Sequence, residues 1–191
     1  MTALDISAIE KLTLEHGTSW ALAHVKRLLK LIELIGCDLK YDLQAMRWAV
    51  YLHDWGAFPK YAQPGCEHAL RSKQVAATEI LPKTDLSEQA KSIILEAIEL
   101  HDYRDERSVT SNEALLLREA DFLDFIGIIG IAREFAKGPK DLQKSYLQIL
   151  SRKEQLKDRF TIPQARKIAE ERLARMDEFL ESLLVESFDY L

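Results

Sequence analysis

The sequence predicts an all-α protein, and three observations carry that prediction. Apolar residues recur at helical spacing in most segments, strand-like alternation is nearly absent, and the seven glycines and five prolines fall mostly between the periodic segments. At 191 residues the chain suits one domain with a sizeable core. Hydrophobic residues make up 47% and charged residues 30%, as in a globular protein and unlike a disordered one. About seven helices are expected.

Each element has its own signal. The N-terminal stretch MTALDISAIEKLTLEH lacks the basic start and apolar run of a signal peptide, and no segment approaches membrane-spanning length, so a cytoplasmic protein is expected. His16, in a polar N-terminal turn, reads as a surface residue. From Ser19 to Ile35, Ala21, His24, Leu28, Leu31 and Ile35 share one face while Lys26, Lys30 and Glu33 lie off it, and Gly36 stops the helix. Asp42 is placed to cap a helix that runs to Asp54, with Gly56 as the stop. A third helix spans about His68 to Leu81 and ends before Pro82.

Asp85-x-x-Glu88 and Thr110-x-x-Glu113 resemble capping boxes, the first ahead of QAKSIILEAIELH and the second ahead of ALLLREADFLDFIGIIGIAREF. Between them YRDERSVT, residues 103–110, is charged and aperiodic, a surface loop of the kind that carries ligand contacts. A helix over about Asp141 to Gln155 follows. Thr161-x-Pro163-Gln164 then opens a long amphipathic helix through about Glu186, with Ile168, Ala169, Met176, Phe179, Leu180 and Leu183 on its stripe. That stripe fits packing within its own domain or against a second copy, so the chain is expected as a monomer or homodimer, with cis packing favoured.

With 26 basic against 31 acidic side chains the net charge is −5, a field that does not attract nucleic acid or an anionic membrane. Cys37 and Cys66 form no CxxC pair and read as two reduced thiols.

Several polar residues stand where apolar ones belong. His24 shares its face with Ala21 and Leu28, His53 with Met46, Ala49 and Val50, and His101 with Ile94, Ala97 and Ile98. His68 opens the third helix, Leu117, Phe125 and Ile128 surround Asp121, and Asp124 follows nearly one turn on. Singly, each has an ordinary reading as a hydrogen-bonded core residue. Together, His24, His53, Asp54, His68, His101 and Asp121 offer six ligands at inward or helix-end positions of five helices, the requirement of a metal site in a helical bundle.

These residues resemble the HD-domain superfamily, whose pattern is a histidine on an early helix, an adjacent histidine and aspartate at the end of a later one, and a distant aspartate. His24, His53-Asp54 and Asp121 match in order, HALRSKQVA from His68 resembles an additional H-x-x-x-S helix, and His101 resembles the histidine that completes a second metal position. READFLDFIGIIGIAR, 118–133, is similar to the D-A-D-R-L-D-x-I-G-x-I-G-I-A-R segment of a bacterial subfamily of predicted metal-dependent HD phosphohydrolases, and IPQARKIAEERLARMDEFLE to its final helix. The implied architecture is an HD-domain helical bundle over 1–191, with a metal-binding core at about 16–137 and a C-terminal helical part at about 138–191. Glu119 and Phe122 depart from the pattern, which has Asp and Arg there, and His101-Asp102 lacks the signatures of cyclic dinucleotide phosphodiesterases.

The resemblance implies that His24, His53, Asp54 and Asp121 hold one divalent metal, with Asp54 bridging to a second held by His68 and His101. Mn, Fe, Co, Ni, Mg and Zn are not distinguished. The implied function is a phosphohydrolase acting on a nucleotide or other small phosphoester through metal-activated water. Lys60, Arg71, Lys73 and Arg104 are the candidate phosphate contacts. Asp54, Lys60 and Asp124 are the candidate catalytic residues, Asp124 serving in proton transfer, in orienting a ligand or in structure. Gly127 and Gly130 fit either close helix packing or a helix irregularity. The alternatives are an HD-type di-iron oxygenase and a non-catalytic HD module that binds a nucleotide or a partner.

Overall fold

The computed structural model describes residues 3–188 and 190–191. Among them eight α-helices and a few short 3-10 and π turns account for the regular structure, and there is no strand. The chain divides into two compact units, Met1–Arg118 and Glu119–Leu191, with the boundary inside one helix.

In the first unit, α1 (Ile6–Ile35) begins well before the expected start at Ser19. Asp5 caps it through Oδ1, 2.8 Å from Ala8 N, and Ile9 and Thr13 are buried along it. The helix is interrupted at Thr18, whose φ of 66° and ψ of 178° are non-helical. His16 is not the surface residue expected: its ring packs edge-on to Trp55 and Tyr61, at centroid distances of 6.3 and 5.8 Å.

Asp42 caps α2 (Leu43–Leu52) as expected, its Oδ1 accepting from Gln44 N and Ala45 N at 2.8 and 3.0 Å. The third helix is shorter than expected. Regular α3 covers His68–Val75, then widens to a π turn at Ala76–Ile80 and tightens to a 3-10 turn at Leu81–Lys83. Pro82 lacks an N–H to continue the ladder.

Ser87, rather than Asp85, caps α4 (Glu88–Leu100), its Oγ accepting from Ala90 N at 3.1 Å. For α5 (Asn112–Phe125) the capping hydroxyl is Ser111, 3.1 Å from Ala114 N, while Thr110 donates to Glu96 and Glu113 accepts from Asp42 N. Both capping boxes are therefore replaced by a neighbouring serine. In this unit α2 packs against α1 and α4, and α3 packs against α4 and a 3-10 turn at Trp55–Ala57.

The second unit corrects another expectation. The run from Ala114 to Phe135 is two helices, because Ile126 is extended and Gly127 has φ +76°, a value that favours glycine. A Cβ at Gly130 would lie 2.1 Å from Phe125 O, so the sharp turn into α6 (Gly127–Lys137) needs a glycine there too. Of the two open readings, the helix irregularity is present.

Asp141 caps α7 (Leu142–Leu156), and Pro163 begins α8 (Pro163–Glu186). Helix α6 packs against both. Ala169, Met176 and Leu180 of the expected stripe are buried on α8, together with Ala165, while Phe179 stays exposed. Glu119 is buried and serves the start of α8, accepting from Thr161 N at 2.8 Å, Thr161 Oγ1 at 2.6 Å and Ile162 N at 3.1 Å. Burial raises its pKa, and those donors offset part of the rise.

Candidate metal centre

The ends of α2 and α4 build the centre in the first unit. His53 follows the last residue of α2, and its Nδ1 donates to Val50 O at 2.8 Å. His101 does the same after α4, with Nδ1 donating to Ile98 O at 2.6 Å. Each bond commits the Nδ1 proton to the backbone and leaves Nε2 facing outward from the helix end. Both rings are buried, with 0% and 1% exposure.

The turn after α2 carries Asp54 toward α3. Gly56 N donates to the buried Ser72 Oγ at 2.7 Å, and a Cβ at Gly56 would lie 2.3 Å from His68 O and 2.5 Å from Ser72 N. Only glycine permits this approach. The H-x-x-x-S spacing thus has a mechanical meaning: Ser72 pins the turn against the helix that His68 opens.

Asp54 is the hub. Its Oδ2 lies 3.7 Å from His24 Nε2 and 3.4 Å from His53 Nε2, and its Oδ1 lies 3.6 Å from His68 Nε2 and 3.7 Å from His101 Nε2. The imidazoles are paired in turn: His24 and His53 Nε2 are 3.2 Å apart, and His68 and His101 Nε2 are 3.1 Å apart. Burial pushes the Asp54 carboxyl up, but the charges and hydrogen bonds of His53, His101 and His24 outweigh it and hold the group well below the usual carboxylate range. Asp54 is therefore ionised at neutral pH.

The second pair tests whether the donors fit a cation. His68 Nδ1 lies 3.3 Å from Asp102 Oδ2 and also 3.3 Å from Arg104 Nη2. Its Nε2 lies 3.1 Å from that of His101, and both are beside an anionic oxygen of Asp54. Two imidazole nitrogens and a carboxylate oxygen this close need a proton or a metal cation among them. Imidazole nitrogen and carboxylate oxygen are the donors of Zn, Fe, Mn, Ni and Co sites, and the second imidazole–carboxylate bond is the usual means of orienting such a ligand. These donor types fit a divalent metal. Burial first, and then the charge of His101, lower the His68 pKa and favour its neutral, ligating form.

Asp102 escaped the sequence reading, although it repeats the His-Asp dipeptide at a second helix end. It is 8% exposed, and Arg104 donates to it through Nε at 2.9 Å and Nη2 at 2.5 Å. Burial raises its pKa, and the Arg104 bonds bring it below the ordinary value. Arg104 Nη2 is also 3.3 Å from His68 Nδ1. Glu67, Leu70, Glu99, Asp102, Arg104 and Arg107 line a cleft of about 580 Å³ alongside.

The other expected phosphate contacts are engaged elsewhere. Lys60 Nζ is 3.0 Å from His16 Nε2 and 5.1 Å over the Tyr61 ring, Arg71 donates to Tyr61 O and Gln74, and Lys73 pairs with Glu99 at 2.5 Å. Asp121 and Asp124 belong to the second unit, and both are buried. Asp124 Oδ2 pairs with Arg133 Nη1 at 2.5 Å.

Comparison with known proteins identifies the family. Residues 21–126 match the HD domain family, which is more than half of the chain, and the chain belongs to it. No curated protein matches the sequence. Among solved structures, a predicted HD superfamily hydrolase from an uncultured Thermotogales bacterium is 27% identical over 95% of this chain and 90% of its own, with a TM-score of 0.65. Bacillus subtilis YpgQ in complex with ADP is 22% identical over 95% and 94%, with a TM-score of 0.72. An HD-superfamily hydrolase from Bacillus thuringiensis is 21% identical over 95% and 93%, with a TM-score of 0.63. The last two likenesses show the shared fold. Among the described residues, no helix is long and apolar enough to cross a membrane.

Proposed function

We propose that the protein is a divalent-metal-dependent phosphohydrolase that cleaves a nucleotide or other small phosphoester with an activated water. One observation carries the reading: each oxygen of Asp54 faces its own pair of imidazole Nε2 atoms, His24 with His53 and His68 with His101. A carboxylate shared in this way is the bridge of a paired site. Asp121 joins as a further ligand of the first position by the family resemblance.

Divalent cations at such a site supply a lowered pKa for water, toward about 7, and neutralise charge on phosphoryl oxygens. The protein's own groups do the rest. Asp54 would hold both cations, and the backbone bonds of His53 and His101 keep their rings from turning away. Arg104, half exposed beside His68, is placed to meet a phosphate oxygen. Lys60, Arg71 and Lys73 would have to leave His16, Tyr61, Gln74 and Glu99 to reach one, and Asp124 would have to leave Arg133 to move a proton. Nucleotide is the favoured substrate class because a protein of the same fold, YpgQ, was crystallised with ADP.

The test is a panel of nucleoside mono-, di- and triphosphates and simple phosphoesters, run on protein stripped of metal and reloaded with Mn, Co, Ni, Mg, Zn or Fe. Metal-dependent release of phosphate or pyrophosphate that is absent in Asp54→Ala is the expected result. No turnover with any metal would leave a binding module as the better account. The four-imidazole donor set also suits iron, so a coupled iron signal together with O₂ consumption would favour the di-iron oxygenase.

A further inference from the structure

The segment 101–107 carries three groups of the centre: His101, Asp102 and Arg104. On its surface side it holds itself together, with Arg104 on Asp102 and Arg107 on Asp105 and Glu99. The guanidinium side of each pair is exposed, which makes these weaker anchors than a buried one. Its buried anchor comes from α5. Arg118, 7% exposed, donates from Nε to Leu100 O at 2.5 Å and from Nη1 to Arg107 O at 2.8 Å, with Nη2 4.0 Å from Asp105 Oδ1.

Leu100 O is the carbonyl of the last residue of α4, where the helix has no further N–H to offer and carries partial negative charge. Arg107 O lies at the far end of the same segment. A planar guanidinium with donors in a fixed fork can span both, whereas an ammonium donates from one point.

Resting on the two-position reading above, we propose that Arg118 is a positioning residue for the second cation position. It clamps both ends of segment 101–107 and so keeps His101 and Asp102 in register with His68 and Asp54. The signal in the sequence is faint, because an arginine beside Leu117 on a helix reads as a surface cation. Its burial gives it away.

The test uses the whole protein with Arg118→Lys and, in case lysine packs poorly, Arg118→Gln. Mn(II) titration of metal-free protein counts the equivalents bound, and amide hydrogen exchange without metal reports the segment directly. The second equivalent should weaken by about 10–100-fold, the range for losing an outer support of a ligand, while the first is unchanged. Exchange should quicken at 101–107 and stay as it was in α1 and α2. Equal weakening of both equivalents, or no change in either variant, would overturn the assignment, as would unaltered exchange at 101–107. Wild-type protein that binds fewer than two equivalents would instead overturn the two-position reading, and the exchange result would still judge the clamp.

Discussion

Two histidine–aspartate pairs end two helices that pack against each other, His53-Asp54 after α2 and His101-Asp102 after α4. Locally they are built alike. Each histidine gives its Nδ1 proton to the carbonyl three residues back and turns Nε2 outward. The aspartates differ in what they face. Asp54 faces four Nε2 atoms, whereas Asp102 faces the Nδ1 of His68 and two donors of Arg104. The difference teaches that a dipeptide does not define a ligand. What differs is which ring nitrogen the carboxylate meets: Nε2 at Asp54, the atom that the proposed cation would share, and Nδ1 at Asp102, where a carboxylate is placed to orient a ring.

The comparison breaks most visibly at Asp54. Asp54→Asn keeps the shape of the side chain and removes its charge, so both positions lose their shared anion. Because outer supports alone are worth about 10–100-fold, losing the bridge should cost more than about a hundredfold in hydrolysis and in Mn(II) affinity at both positions. Retention of one tight equivalent would show that Asp54 serves a single position. Metal addition should also stabilise the wild type by about 2.7 kcal/mol at a hundred times its Kd, and Asp54→Asn at the same concentration by less than about 0.4 kcal/mol, read as the shift in thermal midpoint.

Asp102 should give a smaller and one-sided effect. Asp102→Asn loses the anion that orients His68 and frees Arg104, so the second Mn(II) equivalent weakens by about 10–100-fold and the first holds. If both fall together, the two pairs do not divide the work as their geometry says.

These differences explain what could be read from the sequence. The four buried or half-buried histidines and Asp54 were legible because a polar side chain on an apolar face conflicts with helical patterning. Asp102 was not, since it sits at a helix end in a charged stretch where an aspartate is unremarkable. The break at Gly127 was hidden because the apolar period continues through it, and only the backbone's positive φ reveals the turn. Cap positions slid to Ser87 and Ser111 because adjacent residues compete for the same amides, a contest of a few tenths of a kcal/mol to about 1 kcal/mol. Glu119, which departs from the family pattern, is occupied in capping the turn before α8.

The smallest effect separates the pairs by pH. Burial, with the charge of His101, lowers the His68 pKa, so the folded protein takes up a proton there less readily than the unfolded chain. Stability from this group is complete above the unfolded value of about 6.5 and is lost as pH falls below it, until the lower folded pKa is passed. The Asp102 carboxyl, lowered through Arg104 against the effect of burial, acts in a different window: its contribution is complete above about 3.9 and is lost as pH falls toward its depressed value. In metal-free protein, denaturant midpoints of His68→Gln should therefore fall less steeply than the wild type's just below pH 6.5, by no more than about 1.4 kcal/mol per pH unit. Asp102→Asn should leave that slope nearly intact and flatten the one below about pH 3.9. Parallel curves for His68→Gln and wild type would mean that the ring is free to protonate in the folded state, and that its Nε2 is not held ready for a cation.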